Sequence, residues 1–293
     1  MQRYIKNMEK QNDINKKIRT CIHTVILNEL DEYLTAWLNH HSPMVDHIFI
    51  FEDIDSHSHK HITDKYPNVT LQSVLDIYAD DEKMRERVIK EKERGIITQM
   101  HYIKDGVTMI QNLHKYDWCF TIDIDEFITL QEPYKTISDV LSEFNDKVAV
   151  MLQWQNYGAS GRVFKPEYNG RDYREFYTEK SPFNNHDAAV KITTKICWNL
   201  NKTTKWHLCG LHCTVGDWVN TKGKRDRQEI CYDKMYLSHY VTRSWEEWVW
   251  KLYQRGMHCG NRHRKDEQFF EINPDMLPMY DECMKIKNNI LNV

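Results

Sequence analysis

The chain has 293 residues, 41% of them hydrophobic, with 40 Lys and Arg against 43 Asp and Glu and a formal net charge of -3. That is enough chain for one large domain or two small ones around a substantial core, and so balanced a charge gives no electrostatic reason to expect nucleic acid as a partner. Gly and Pro are scarce, at 10 and 7 residues, which excludes a low-complexity linker.

The N-terminal stretch MQRYIKNMEKQNDINKKIRT is polar and lacks an apolar h-region, so it reads as neither a signal peptide nor a membrane anchor. No apolar run approaches the roughly 18 residues of a membrane span. The eight cysteines are scattered along the chain and, without a secretion signal, read as reduced thiols in a cytoplasmic protein. IRTCIHTVILNE (18–29) is a β-rich apolar run ending in polar residues. LDEYLTAWLNHH (30–41) then sets Leu30, Leu34, Trp37, Leu38 and His41 at helical spacing. VDHIFIFED (45–53) predicts a second strand with an acidic end, and NVTLQSV (68–74) a third after the turn signal of Pro67. Residues 81–94 predict a charged, exposed helix, and Met100, Ile103, Val107, Ile110 and His114 form the apolar stripe of the next. CFTIDIDEFI (119–128) predicts a fourth strand, TISDVLSEF (136–144) a short helix and VAVMLQWQNYG (148–158) another strand. AAVKITTKICWNL (188–200) and EICYDKMYLSHY (229–240) still read as strands. SWEEWVWKLYQRG (244–256) is a final helix opened by a Ser244/Glu247 capping box, and the polar tail beyond about 282 is expected to fray. The order of these elements predicts an α/β layer with a mainly parallel central sheet.

In sheets of this class, ligands bind beyond the carboxyl ends of the strands. Asn28-Glu29, Glu52-Asp53 and Asp123-Ile124-Asp125 all follow strands, so a parallel sheet brings them to one edge. Strand periodicity puts Asp123 and Asp125 on the same side. Two carboxylates so placed repel and need a cation, a basic residue or a shared proton. A divalent ion is the simplest partner. Carboxylates suit Mg²⁺ and Mn²⁺, and such sites commonly share the ion with substrate phosphates, which fits a nucleotide diphosphate. The competing reading of so short a pattern is a strand end whose aspartates cap the next turn or pair with lysines. WHLCGLHC (206–213) gathers His207, Cys209, His212 and Cys213, which are zinc-type ligands, but in no usual finger spacing. HSHKH (57–61) reads as an exposed loop.

DIDEF after a hydrophobic strand resembles the metal motif of GT-A-fold glycosyltransferases, and its surroundings resemble glycosyltransferase family 92 and its family-2-like bacterial relatives. The matching stretches are LNELDEYLTAWLNHH (27–41), IFIFEDIDS (48–56), Gln99 in ITQMHYIKDG, DIDEF, YGASG (157–161), VKI (190–192) and HYVTRSWEEW (239–248), in that order over about residues 20–256. The chain departs from the pattern at Glu52-Asp53, where Asp-Asn is expected, and at Arg243, where Lys is usual, which leaves the donor sugar open.

The resemblance implies a GT-A, Rossmann-like nucleotide-sugar-binding domain over 18–240, preceded by the polar segment 1–17 and followed by a short helical extension, 241–293, packed on it. It implies a metal-dependent, inverting transfer of a sugar, from a UDP-linked donor, to a glycan or glycoconjugate hydroxyl. Asn28, Glu29, Glu52 and Asp53 then face the nucleobase and ribose, and Gln99 and Lys191 join the donor site. Asp123 and Asp125 hold Mn²⁺ or Mg²⁺, with His212 or His239 as the further ligand. An inverting displacement needs a general base, for which Asp187 is the first choice, with Glu179 and Asp217 behind it. Trp154, Tyr157 and Trp206 offer an acceptor platform, and the basic segment 255–265 a cover for the diphosphate. A nucleotidyltransferase, which also uses Asp pairs with a divalent ion, and a glycan-binding protein of the same fold are the alternatives.

Overall fold

A strand buried at every position needs cover on both faces, and the first strand of this chain, Thr20–Ile26, has it. The computed structural model describes residues 17–94, 99–181, 194–204, 207, 216–226, 229–255 and 265–291. Its strands are β1 (Thr20–Ile26), β2 (His47–Glu52), β3 (Val69–Ser73), β4 (Trp118–Thr121), β5 (Glu126–Leu130), β6 (Ala149–Asn156), β7 (Thr194–Asn199), β8 (Trp218–Asn220) and β9 (Met235–His239). Its α-helices are α1 (Asp31–His41), α2 (Lys60–Thr63), α3 (Glu82–Glu93), α4 (Gln99–Asn112), α5 (Ile137–Leu141), α6 (Trp245–Val249), α7 (Asp266–Ile272) and α8 (Tyr280–Leu291).

The strands form one 9-stranded sheet in the order β3-β2-β1-β4-β7-β6-β9-β5, with β8 paired to β6. The first four are parallel. β7 runs antiparallel between β4 and β6, and β5 runs antiparallel beside β9. β6 is parallel to both β8 and β9. The sheet is therefore mostly parallel, as expected, and the carboxyl ends of β1, β2, β4, β6 and β9 share one edge. The register states this directly: Ile26 lies opposite Glu52 and Asn156 opposite His239.

Residues alternate between the two faces. Ile22, Ile48, Ile50 and Phe120 point to one side, against Leu34, Trp37 and Leu38 of α1. Cys21, Val25, Phe49 and Phe51 point to the other, against Tyr102, Ile103, Val107 and Ile110 of α4. The acidic first turn of α1, Asp31 and Glu32, suits the positive end of the helix dipole. Among the residues of α3 only Val88 is buried, as its charged sequence predicts.

A third apolar cluster lies at the C-terminus, where Trp245, Trp248, Phe269, Phe270, Met276 and Cys283 pack with Ala159 and Val163. Two expectations need correction here. The tail beyond 282 does not fray: α8 runs to Leu291, because Cys283 is buried and Met284, Ile286 and Ile290 pack on the cluster. The stretch expected as the final helix is followed by α7 and α8 and is itself not α-helical throughout. It passes from α6 into a π-helical turn, Trp250–Gln254, closed by the Arg255 N–H donating to the Trp250 carbonyl at 2.9 Å. The described cysteines, Cys21, Cys119, Cys197, Cys231 and Cys283, are free and buried. Among the described residues, no helix is long and apolar enough to cross a membrane.

Candidate active site

CFTIDIDEFI does not form one strand. β4 stops at Thr121 and β5 starts at Glu126, so Asp123 and Asp125 lie in the turn between them. Glu126 makes that turn: its N–H donates to the Asp123 carbonyl at 3.1 Å, and its carboxylate accepts the Asp123 N–H at 2.8 Å. The alternation of a strand therefore does not fix where the two aspartates point, and their surroundings differ.

Asp123 is half-buried and accepts from Lys195 Nζ at 2.6 Å. Lys195 stands near the start of β7, and because β7 is antiparallel to its neighbours that end lies on the site edge. Its ammonium also faces Glu126 at 3.6 Å. Burial works to neutralise Lys195, but Asp123 and Glu126 outweigh it and hold its pKa above the usual lysine value. Asp125 is more enclosed. Its Oδ2 accepts from Lys251 Nζ, carried by the π-helical turn, at 2.6 Å, and its Oδ1 lies 3.6 Å from His239 Nε2. Burial disfavours the Asp125 anion, yet Lys251, His239 and Arg243 together keep its pKa far below the ordinary carboxylate range.

The β5–β9 register sets Glu126 opposite His239, and the β6–β9 register sets Asn156 opposite the same histidine. Directly paired residues share a face, so these three meet. His239 Nδ1 is 3.0 Å from the Asn156 amide oxygen, and its ring packs on Trp154 with centroids 4.5 Å apart. An Nδ1–H donated to Asn156 would leave Nε2 a lone pair facing Asp125. Ligand atoms of Asp125, Glu126 and His239 all lie within 4.8 Å of one another. Glu126 Oε1 is buried without a hydrogen-bond donor. Burial pushes the Glu126 carboxyl well above its usual pKa, and Asp123 and Asp125 add to the rise, which Lys195 opposes. A buried Glu126 oxygen without a donor, a carboxylate oxygen of Asp125 and an imidazole nitrogen form a donor set that fits Mn²⁺ or Mg²⁺.

The ends of β1 and β2 are tied together beside this cluster. Asn28 adopts a left-handed backbone, φ 46°, and its amide oxygen accepts the His57 N–H at 2.8 Å. Within HSHKH, His57, Ser58, Lys60 and His61 are exposed as expected, but His59 is fully buried: its ring bridges Glu52 at 2.9 Å and the Glu29 carbonyl at 2.8 Å. Burial lowers the His59 pKa, but those two partners raise it by more. The Glu29 carboxylate pairs with Arg255. Asp53 is turned inward onto Lys92 at 2.7 Å, with a side chain only 1% exposed. The structure thus brings Asn28, Glu29 and Glu52 to the expected edge but closes Asp53 off from it.

Of the expected acid–base residues, Glu179 is exposed, and its carbonyl accepts the Gly158 N–H at 3.0 Å, next to Tyr157. Asp217 is a correction. It precedes β8, at the end of the sheet away from the site, and pairs with Lys147 at 3.0 Å with its side chain 60% exposed. Tyr157 stacks on Tyr240 at 4.8 Å, and Trp154 lies against His239, so both expected acceptor aromatics are near the cluster, although each is partly buried by those contacts. Asp187, Lys191, Trp206, His212 and the Gln99 side chain lie outside the described residues, as do Cys209 and Cys213 of the zinc-type pattern. Glu126, Lys195 and Lys251 were not singled out from sequence, although Glu126 carried a local signal as the fourth letter of DIDEF; Arg255 entered only as the first residue of the basic segment 255–265.

Charged groups gathered at the carboxyl edge of a largely parallel, doubly covered sheet lie where Rossmann-like folds bind their ligands. The chain belongs to glycosyltransferase family 92, whose model matches residues 16–276. That family membership accords with the GT-A arrangement expected from the motifs. No curated protein matches the sequence. Among solved structures, the chain is similar to glucosyl-3-phosphoglycerate synthase from Mycobacterium tuberculosis, in a complex with Mn²⁺, uridine diphosphate and phosphoglyceric acid. The two share 12% identity and a TM-score of 0.36, over 70% of this chain and 69% of the other. A second match, A197 from STIV, has 10% identity and a TM-score of 0.23, over 48% of this chain and 47% of A197, about half the length of that protein.

Proposed function

We propose that the protein transfers a sugar from a nucleotide-sugar, UDP-linked, to a hydroxyl of a glycan or glycoconjugate, with inversion and with a divalent ion. The observation that carries this reading is the meeting of Asp125, Glu126 and His239, with ligand atoms within 4.8 Å, at the carboxyl edge of the sheet in a family 92 chain. Asp125, Glu126 and His239 would hold Mn²⁺ or Mg²⁺, with Asp123 beside them. When bound, such an ion neutralises the charge that develops on a departing diphosphate.

The remaining work belongs to the chain itself. Asn28, Glu29 and Glu52 line the edge where a nucleoside would sit, and carboxylates there suit the hydroxyls of a ribose. Asn156 orients His239, and Trp154 packs against that ring and limits its rotation. Trp154 and Tyr157 offer aromatic surface to an acceptor sugar. Attack by the acceptor hydroxyl requires a group to take its proton. Among the described candidates Glu179 is the exposed carboxylate on the site edge, and Asp187 remains the first choice of the sequence. In this reading residues 18–240 form the catalytic domain, and the extension 241–293 completes the site through Lys251 and Arg255.

Asp125→Asn and His239→Ala test the proposal. Both should lower transfer by about a hundredfold or more, the order seen when support of a metal site is lost, and should abolish Mn²⁺-dependent binding of UDP in calorimetry. Full activity in Asp125→Asn would refute the metal role. A product with the donor's anomeric configuration would refute inversion.

A further inference from the structure

The two aspartates of the DIDEF turn each face a lysine, but the lysines are held differently. Lys195 is built into β7 and buried between Asp123 and Glu126, with its side chain 1% exposed. Lys251 comes from the C-terminal extension, on a π-helical turn. Such turns inside helices are rare and concentrate at functional sites. The same turn is fastened a second time, where Arg255 pairs with Glu29. Its ammonium is 2.6 Å from Asp125 Oδ2, and the other oxygen of that carboxylate faces His239. An ion held by Asp125, Glu126 and His239 would thus share one carboxylate with the ammonium, at a separation where like charges repel strongly in a poorly hydrated site.

Resting on the reading of this cluster as a metal site, we propose that Lys251 and the divalent ion are alternative occupants of Asp125, so that loading the ion releases the π-helical turn of the C-terminal extension. Without the ion, Lys251 supplies the counter-charge that a buried carboxylate needs. With it, the ammonium leaves Asp125, and the turn keeps its tie to the donor edge through Arg255. Lys195 does not exchange, because it is locked in a strand between two carboxylates.

The test uses the full chain and Mn²⁺ alone, without nucleotide, titrated by calorimetry. Lys251→Gln should bind Mn²⁺ about tenfold tighter than wild type, since the competing charge is gone. Lys251→Arg, which keeps the charge, should bind no tighter than wild type. In the wild type, saturating Mn²⁺ should speed amide hydrogen exchange across Trp250–Arg255. This measurement needs no variant, so the proposal stays testable if Lys251→Gln does not fold. Unchanged or weaker Mn²⁺ binding by a folded Lys251→Gln, or slower exchange at 250–255 on loading, would overturn it. If the wild type binds Mn²⁺ neither alone nor with UDP, the metal reading itself falls, and this proposal with it.

Discussion

Glu247 offers the sharpest test of how the site is supported. Its carboxylate, 3% exposed, accepts from the hydroxyls of Tyr33, Tyr168 and Tyr177 and from the Ser244 hydroxyl at 2.6 Å. It also faces Arg243, whose Nε lies 3.9 Å away. Arg243 is itself buried, holds a left-handed backbone at φ 56°, and sets its guanidinium 3.8 Å from the centre of the Tyr33 ring. Glu247→Ala would strand that cation, and breaking a buried pair in this way costs about 3–5 kcal/mol. The tyrosine hydroxyls would lose their acceptor as well, so the expected loss is at the upper end of that range. Glu247→Gln keeps the shape and one acceptor oxygen but also removes the charge facing Arg243, and should cost about 3 kcal/mol, the low end of the same range. Urea unfolding at neutral pH, read as a midpoint shift at constant slope, measures both. The pH dependence has a definite sign. Burial pushes the Glu247 pKa up, but Arg243, Ser244, Tyr168 and Tyr177 outweigh it and hold it below the usual glutamate value. Its contribution is therefore complete above the unfolded-state pKa and is lost as pH falls through the lower folded-state value. The gap between wild type and Glu247→Gln should close as the pH drops below about 4. A Glu247→Gln protein within about 1 kcal/mol of wild type at neutral pH would show that the carboxylate is not the hub described here.

Two further substitutions probe the layers that carry the site. Gly106→Ala in α4 would place a Cβ 2.2 Å from Nε2 of His23, a fully buried ring whose pKa burial presses down to about 3. Overpacking of this kind costs about 1–3 kcal/mol, and an unchanged urea midpoint would mean that the helix can move off the sheet. Trp245→Ala would remove a fully buried ring and its 2.7 Å hydrogen bond to the Cys283 carbonyl, at a cost of about 3–5 kcal/mol. Limited proteolysis should then cut within 265–291 before it cuts the sheet; simultaneous loss of both would show that the extension and the sheet unfold as one unit.

The half of the fold that gathers the carboxyl ends of the parallel strands was legible because its signals are local. β1, α1, β2, β3 and α4 each have an apolar period of their own, and parallel strands with acidic or amide ends can only bring those ends together. The DIDEF segment was less legible. Ile122, Ile124, Phe127 and Ile128 are all buried, so the sequence is as apolar as a continuous strand would be. The break is made by Glu126 folding back on Asp123 and by the pairing of β5 with β9, whose sequence lies more than a hundred residues away. The C-terminal helix α8 was missed for another reason: its four packed residues are diluted by charge, and the surface they meet is assembled from α6 and α7.

The cations of the site come from farther still. Lys195 is 72 residues from Asp123, Lys251 is 126 from Asp125 and Arg255 is 226 from Glu29. No window on the sequence shows them together, which is why two readings of the Asp-x-Asp pair stood open: a metal pair, or aspartates neutralised by lysines. The structure makes these readings compatible by dividing the pair. Asp123 has a lysine fixed by a strand, and a fixed lysine neutralises it permanently. Asp125 has a lysine on a helical turn outside the main sheet, together with an imidazole and a carboxyl that a lysine does not need but a divalent ion does. Sequence symmetry made the two aspartates look equivalent. Their surroundings set them apart: Asp123 faces a lysine fixed in β7, and Asp125 a lysine from the C-terminal extension with His239 on its other oxygen.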